Sequence, residues 1–280
     1  MIYTMKQTKK LLVVLLLAAG MSLALLIGGS AGKVQAAAKE YPVLLKINDY
    51  YVVYTAPKAP YVDSQGRMMI PLRSISELLG AKVSYDAKSK TATIGMDDVT
   101  VMFTIRSKSV SVNGAARSMD TIPVLEQNSM FIPVSVLAGS LGIVSKWDQS
   151  NHLYTLTGDT LMQTDIIKLA IEDLERSAFG APPGAIISND AFRPVSYTYD
   201  EVKGSFTVKS QNITGNDIPA GAADVAAYVV FKDSVQFPVQ KRERPAVGKD
   251  GFTLVTAQKQ SPYPPLYLLV KGRLLDRSPI

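Results

Sequence analysis

One unit of the sequence occurs twice, and this repeat constrains the fold more than any other feature. Residues 70–86 read IPLRSISELLGAKVSYD, and residues 132–148 read IPVSVLAGSLGIVSKWD. Each copy has a proline before a short apolar pattern with helical spacing and a leucine–glycine pair after it, which are typical helix boundaries. The sequence therefore predicts two related hairpin and helix units, and two such incomplete units are expected to bury one shared core.

The fold class follows from these units and from the segment after them. We expect an α+β fold in which repeated antiparallel hairpin and helix units form a twisted sheet around helices. The residues TDIIKLAIEDLERSA then predict a helix, and short strand-like stretches with turn signals such as TGND and GKDG follow it, which favours a mainly antiparallel β domain. The expected domains are 39–157 for the repeats and 158–280 for the helix plus β domain.

The first 38 residues have the pattern of a secretory signal peptide. Lys6, Lys9 and Lys10 precede an uncharged apolar run at 11–29, and VQAAA supplies small residues for cleavage. A second interpretation is an uncleaved anchor, because the apolar run is just long enough to cross a bilayer. A cleaved signal peptide predicts a secreted or cell-wall associated protein. An uncleaved anchor predicts a protein that contacts the membrane only through this segment.

The charge of the chain gives little support to nucleic-acid binding. The sequence has 30 basic and 24 acidic residues, but Lys6, Lys9, Lys10 and Lys33 belong to the predicted leader, which leaves 26 basic against 24 acidic. This balance predicts no nucleic-acid partner. The chain has no cysteine, so disulfides and thiol catalysis are excluded and the core alone must stabilise the protein.

The first copy carries a family motif, and the second carries a weaker version of it. The matching positions are Arg67, Pro71, Leu72, Arg73, Glu77, Leu79, Gly80, Val83 and Asp86, and then Pro133, Leu141, Gly142, Trp147 and Asp148, with Ser129 in place of the first arginine. Residues 43–157 thereby resemble the copper amine oxidase-like N-terminal domain, also called the stalk domain. The resemblance implies a non-catalytic display or interaction module, of a kind common in envelope proteins of spore-forming Gram-positive bacteria.

Polar motif residues of the first copy are absent from the second. Arg73 and Glu77 become Ser135 and Gly139, so a site built on them would exist only once; the alternative is a surface ion pair with i,i+4 spacing. A copper site of the amine oxidase type needs several imidazoles, whereas the chain has one histidine, His152. We expect His152 in a solvated turn and predict no metal and no cofactor.

Catalytic patterns are weak. The motifs GxSxG, GxxxxGK[ST] and GxGxxG are absent from the sequence that follows the predicted leader, residues 39–280. Glycosidases use paired carboxylates, and three groups of acids are candidates for such a pair: Asp97 with Asp98, Asp200 with Glu201, and Glu172 with Asp173 and Glu175. The simpler interpretation is that these acids lie on the solvated surface. We therefore predict no catalytic residues.

Three loop segments are candidates for binding. The cluster KRERP, Lys241 to Arg244, suits anionic wall polymer or is a solvated loop. SPYPPLY offers the rings of Tyr263 and Tyr267 to carbohydrate or peptide, or leads into an edge strand. The oxygens of Asn212, Asn216 and Asp217 are a weak calcium candidate, because a turn of this composition needs no metal.

The sequence thus favours a non-enzymatic exported cell-envelope protein. In this hypothesis the repeats form a stalk that presents the β-rich C-terminal domain to cell wall polymer or to an envelope protein. The alternative is a hydrolase that acts on cell-wall glycan through carboxylates in the C-terminal domain.

Overall fold

The computed structural model describes residues 43–176, 186–200, 203–236, 244–258 and 261–276. Its helices are α1 (Leu72–Leu78), α2 (Val134–Ser140) and α3 (Asp165–Arg176). The first strands are β1 (Leu44–Ile47), β2 (Tyr50–Thr55), β3 (Tyr61–Val62), β4 (Met68–Pro71), β5 (Lys82–Asp86), β6 (Thr91–Met96), β7 (Val99–Thr104), β8 (Ser109–Val112), β9 (Ala115–Ser118), β10 (Val124–Glu126), β11 (Ser129–Pro133), β12 (Val144–Asp148) and β13 (Leu153–Thr157). The later strands are β14 (Ile186–Ser188), β15 (Phe192–Asp200), β16 (Ser205–Asn212), β17 (Ala223–Val230), β18 (Val235–Gln236), β19 (Phe252–Gln258) and β20 (Tyr267–Leu275).

The strands form four sheets. An eight-stranded sheet has the order β12-β13-β1-β2-β20-β17-β18, with β14 also paired to β20. The other sheets are β10-β11-β4-β3, β5-β6-β7-β8-β9 and β15-β16-β19. The pairing is antiparallel except between β1 and β13, which run parallel.

The expected α+β fold, with a twisted sheet around helices, is wrong. Among the described residues the structure is mostly β, with twenty strands in four sheets and three helices. Both repeat helices have only seven residues, about two turns, so neither is long enough for a sheet to wrap around it. The hairpins instead separate: β4 and β11 of the two copies pair with each other, whereas β5 and β12 join different sheets.

The helix boundaries predicted from the repeat are confirmed. Pro71 and Pro133 stand in extended conformation just before α1 and α2. Gly80 follows α1 with φ +80°, and the Ala81 and Gly80 amides donate to the Ser76 and Glu77 carbonyls. These two bonds are a Schellman motif, which requires a left-handed residue and therefore favours glycine. Gly142 closes α2 in the same left-handed conformation.

The eight-stranded sheet has buried residues on both faces, because its strands alternate between two cores. In β2, Tyr50 and Val52 belong to the core of the repeat units, whereas Tyr51 and Val53 belong to the core under the three-stranded sheet. β17 and β20 alternate in the same way, with Leu269 on the first side and Leu268 on the second. Since residues on one strand point alternately to opposite faces, the sheet is the middle layer of three.

Strands from both sides of Gly158 build this middle sheet. β2 pairs with β20, which joins the early part of the chain to its last described strand. Residues from Tyr41 to Ile280 form one compact unit, while the boundary near Gly158 stays a prediction. None of the helices in the described part of the chain is both long and apolar enough to cross a membrane.

Candidate binding surface

The three-stranded sheet turns one face inward and the other to solvent. Phe206 and Val208 of β16 are fully buried against the eight-stranded sheet. The register places Gln211 beside Phe252 and Lys209 beside Leu254 on the opposite face. There Phe252 is 49% exposed and Leu254 is 61% exposed. Two large apolar side chains on one open sheet face make this face a candidate contact surface, because covering them with a partner would be favourable in free energy.

A basic side chain accompanies the aromatic ring on this face. The Lys209 Nζ lies 3.9 Å from the centre of the Phe252 ring, which is a cation–π contact. A second such contact, with the Lys232 Nζ 3.6 Å from the centre of the Tyr263 ring, lies in the loops next to β17 and β20 and outside the three-stranded sheet. The surface therefore combines apolar area with positive charge, which suits an anionic polymer or a mixed protein surface. We define the binding face as Lys209, Gln211, Phe252 and Leu254.

Tyr263 and Tyr267 have different environments, so they do not form a shared ring platform. Tyr267 is buried, and its hydroxyl donates to the Ser74 carbonyl at 2.9 Å and to the Glu77 carboxylate at 3.1 Å. Burial, with the nearby Glu77 charge, raises the pKa of Tyr267. Glu77 therefore contacts β20, while Arg73 is exposed. Within the described residues no ion pair links Arg73 to Glu77.

Arg244, the described member of KRERP, lies against the core. Its guanidinium donates to Asp224 Oδ1 at 2.9 Å, and Arg273 Nε donates to Asp224 Oδ2 at 2.7 Å. The Arg273 side chain is 1% exposed and the Asp224 side chain 5%. This buried triad holds β17 to β20, and Arg244 is committed to it. Lys241, Arg242 and Glu243 lie outside the described residues.

The candidate carboxylates lie at separate places. Asp97 and Asp98 are exposed in the turn between β6 and β7. Asp200 forms an ion pair with Lys203 at 3.4 Å, and Glu172 is exposed on α3. Glu201 and the side chains of Asp173 and Glu175 lie outside the described residues.

The calcium candidate is a hydrogen-bonded turn. The Asn212 amide nitrogen donates to the Asn216 and Gly248 carbonyls at 2.8 and 3.0 Å, and its oxygen accepts the Thr214 amide and hydroxyl. Asp217 accepts the Lys249 amide at 2.6 Å. Asn212 is buried and its polar atoms are used within the turn, so the arrangement stabilises the loop without a metal.

The family name suggests copper, but the donor set does not fit it. His152 is exposed in the turn between β12 and β13, with φ +47°, and its ring lies parallel to the Trp147 ring. Among the described residues, no group of three or more His, Cys, Asp or Glu side chains is placed to hold a metal ion. One imidazole beside an indole cannot supply a type of site that needs several imidazoles.

A cleft of about 610 Å³ lies where α1, the β6–β7 turn and the segment before α3 meet. Leu79 and Met96 form its apolar part, and Lys82, Asp97 and Gln163 its polar part. Sequence reasoning missed it, because residues that are far apart in the chain line it. Its mixed lining suits a small polar molecule without indicating a reaction.

Sequence reasoning also missed a polar seam between the segment 58–67 and the segment 120–126. The Lys58 ammonium and the Tyr61 hydroxyl each donate to Glu126 at 2.6 Å. The two hydrogen bonds lower the pKa of Glu126, and burial together with Glu126 raises the pKa of Tyr61. Arg67 forms an ion pair with Asp120, so the motif arginine of the first copy binds the segment that leads to the second.

The comparisons with known proteins support the stalk domain. Residues 31–156 match the family model described as "Copper amine oxidase N-terminal domain". No curated protein matches the chain. In amine oxidases this N-terminal domain is non-catalytic. The match covers both copies of the repeat, and this part of the chain is therefore similar to the copper amine oxidase N-terminal domain.

Proposed function

We propose that this chain is a non-catalytic, exported cell-envelope protein that acts as a display module. The stalk domain holds the three-stranded sheet, whose binding face contacts cell wall polymer or an envelope protein. Residues 1–38 direct export, and the mature protein is secreted or associated with the cell wall. The membrane is contacted only through the N-terminal segment, where that segment is retained.

The observation that carries this proposal is the open apolar pair Phe252 and Leu254 beside Lys209. Apolar side chains together with a basic one on a solvent-exposed sheet face are typical of contact surfaces. The face lies opposite the buried Phe206 and Val208, which pack on strands of the stalk domain such as β2. A binding face supported by a packed core keeps its shape, and this lowers the entropy lost on binding.

Three described acids of the C-terminal part favour this binding function over the hydrolase alternative. Asp190 binds Lys46 at 2.9 Å, Asp224 binds Arg244 and Arg273, and Asp200 binds Lys203. Each of these carboxylates is paired with a cation. A general acid of a glycosidase needs instead a carboxyl group whose pKa is raised by its surroundings.

Co-sedimentation with purified Gram-positive cell wall tests the proposal. Residues 39–280 are expected to sediment with the wall, and the double variant Phe252→Ser with Leu254→Ser is expected to remain mostly in the supernatant. Added salt is expected to release the wild type further if the wall's negative charges contribute. Walls stripped of protein distinguish the two partners, since only polymer binding survives stripping.

The control is the double variant Met102→Ser with Leu125→Ser, which removes apolar side chains that are 40% and 54% exposed on other sheets. It should sediment as the wild type does. Equal retention of the binding-face variant, or no retention of any form, would overturn the proposal.

A further inference from the structure

Most edge strands in the described part of the chain carry a feature that discourages pairing with another chain. Charges lie on β5 with Lys82 and Asp86, on β12 with Lys146 and Asp148, and on β9 with Arg117. Charged side chains on an edge oppose the approach of a second strand. These three edges are therefore protected.

The remaining edges are protected by shortness, proline or irregular pairing. β3 and β18 have two residues each, and β10 and β14 have three. β15 contains Pro194, and its register with β16 shifts next to that residue. Short strands, prolines and bulges all interrupt the row of backbone groups that a new strand would need.

β19 has none of these protections. It spans seven residues, FTLVTAQ, without charge and without proline. Its register with β16 is continuous from Phe252 to Gln258. Among the described residues β16 is the one strand that pairs with β19, and no backbone hydrogen bond between described residues uses the other edge of β19.

The sequence of β19 is compatible with antiparallel pairing to itself. With Val255 on a two-fold axis, Leu254 lies opposite Thr256 and Phe252 opposite Gln258 of the other copy. Residues directly opposite each other in a sheet lie on the same face, and this register matches outward residues with outward residues. No like charges are opposed, and no charge on β19 selects a partner of opposite sign.

We infer that β19 is a self-association edge, through which two copies of this chain form a symmetric dimer. The two three-stranded sheets become one six-stranded sheet in the order β15-β16-β19-β19-β16-β15. Such an interface is isologous and closed, so it ends at two copies rather than growing into a fibre. It would also place two binding faces side by side, and wall polymer with repeated units would then bind with avidity.

The test measures the mass of residues 39–280 by sedimentation velocity over a wide range of concentration. The wild type is expected to reach twice the mass of one chain. The variant Leu254→Lys with Thr256→Lys puts lysine opposite lysine across the axis and should stay monomeric. The variant Leu254→Lys with Thr256→Glu puts lysine opposite glutamate in the same register and should dimerise.

These two charged variants differ only in the sign at one position, so a difference between them reports the proposed register and not a general loss of folding. Circular dichroism checks that both are folded. A monomeric wild type at every concentration, or equal mass for the two charged variants, would refute the dimer. The variant Phe252→Ser with Leu254→Ser keeps an uncharged edge and should dimerise even where it loses wall binding, so the two proposals fail separately.

Discussion

At the scale of single residues, the buried triad around Asp224 is a point where substitution should cost much stability. Asp224 accepts hydrogen bonds from Arg244 and Arg273, and Arg273 is fully buried. The variant Asp224→Ala removes the carboxylate and leaves a buried guanidinium without it. We expect the free energy of unfolding to fall by about 3–5 kcal/mol, as measured by chemical denaturation.

The control for this variant is Asp120→Ala. Asp120 pairs with Arg67, and both side chains are about half exposed, so we expect a loss of less than about 1 kcal/mol. Similar losses in the two variants would contradict the importance given to the triad.

The lowered pKa of Glu126 should make the free energy of unfolding depend on pH. Hydrogen bonds from Lys58 and Tyr61 lower its pKa below the ordinary value of 4.5. The folded state thus keeps this carboxylate ionised at a pH where the unfolded chain protonates it. Its contribution to stability is full above about pH 4.5 and is lost as the pH falls through the lowered pKa.

The variant Glu126→Gln should therefore lose less stability than the wild type between about pH 7 and about pH 2. Denaturant titrations of both proteins at several pH values measure this difference. Parallel pH curves for the two proteins would show that Glu126 does not contribute in this way.

Residues that act locally could be predicted from the sequence, and residues that act at long range could not. Gly80 and Gly142 were recognisable because a helix end needs a left-handed residue at a fixed place. Tyr267 meets Glu77 across 190 positions of the chain, and no local pattern indicates such a contact. Arg244 likewise looks like part of a solvated basic loop until Asp224 is placed beside it.

At the scale of elements, the crossing of β15 over β20 depends on Gly272. A Cβ on Gly272 would lie 2.5 Å from the Phe192 Cβ and 2.9 Å from the Phe192 carbonyl oxygen, so the backbone would have to move. We expect Gly272→Ala to reduce the free energy of unfolding by at least about 1–3 kcal/mol, as measured by chemical denaturation.

Gly95 in β6 provides the matched strand glycine. A Cβ there meets no heavy atom within 4 Å, so Gly95→Ala should be neutral or stabilise by up to about 1 kcal/mol. If both substitutions changed the free energy of unfolding equally, Gly272 would not be in close contact with Phe192.

The elements were easier to predict than their partners. Period-two patterns and turn residues such as Asn113-Gly114 indicate hairpins, and Asn113-Gly114 lies at the turn between the paired strands β8 and β9. Pairing between distant strands, such as β2 with β20, depends on the packing of the whole chain, and the sequence of neither strand indicates its partner. This is why the hairpins were foreseen while the division into four sheets was not.

At the scale of the whole molecule, the middle sheet joins the stalk domain to the rest of the chain. Because β1 and β2 share a core with β17 and β20, we expect residues 39–280 to unfold in one cooperative transition. Fluorescence of Trp147, the single tryptophan, reports the stalk domain, and far-ultraviolet circular dichroism reports the whole chain. Coincident midpoints are expected, whereas two separate midpoints would mean that the two parts fold independently.

The most direct test of the proposed function is hydrogen exchange of the full chain with and without soluble cell wall fragments, at one protein concentration. Because the binding face lies on β16 and β19, we predict slower amide exchange in these strands when the fragments are present. Exchange in the five-stranded sheet from β5 to β9 should not change. Protection confined to that sheet or to the cleft beside α1, with none in β16 and β19, would contradict the account.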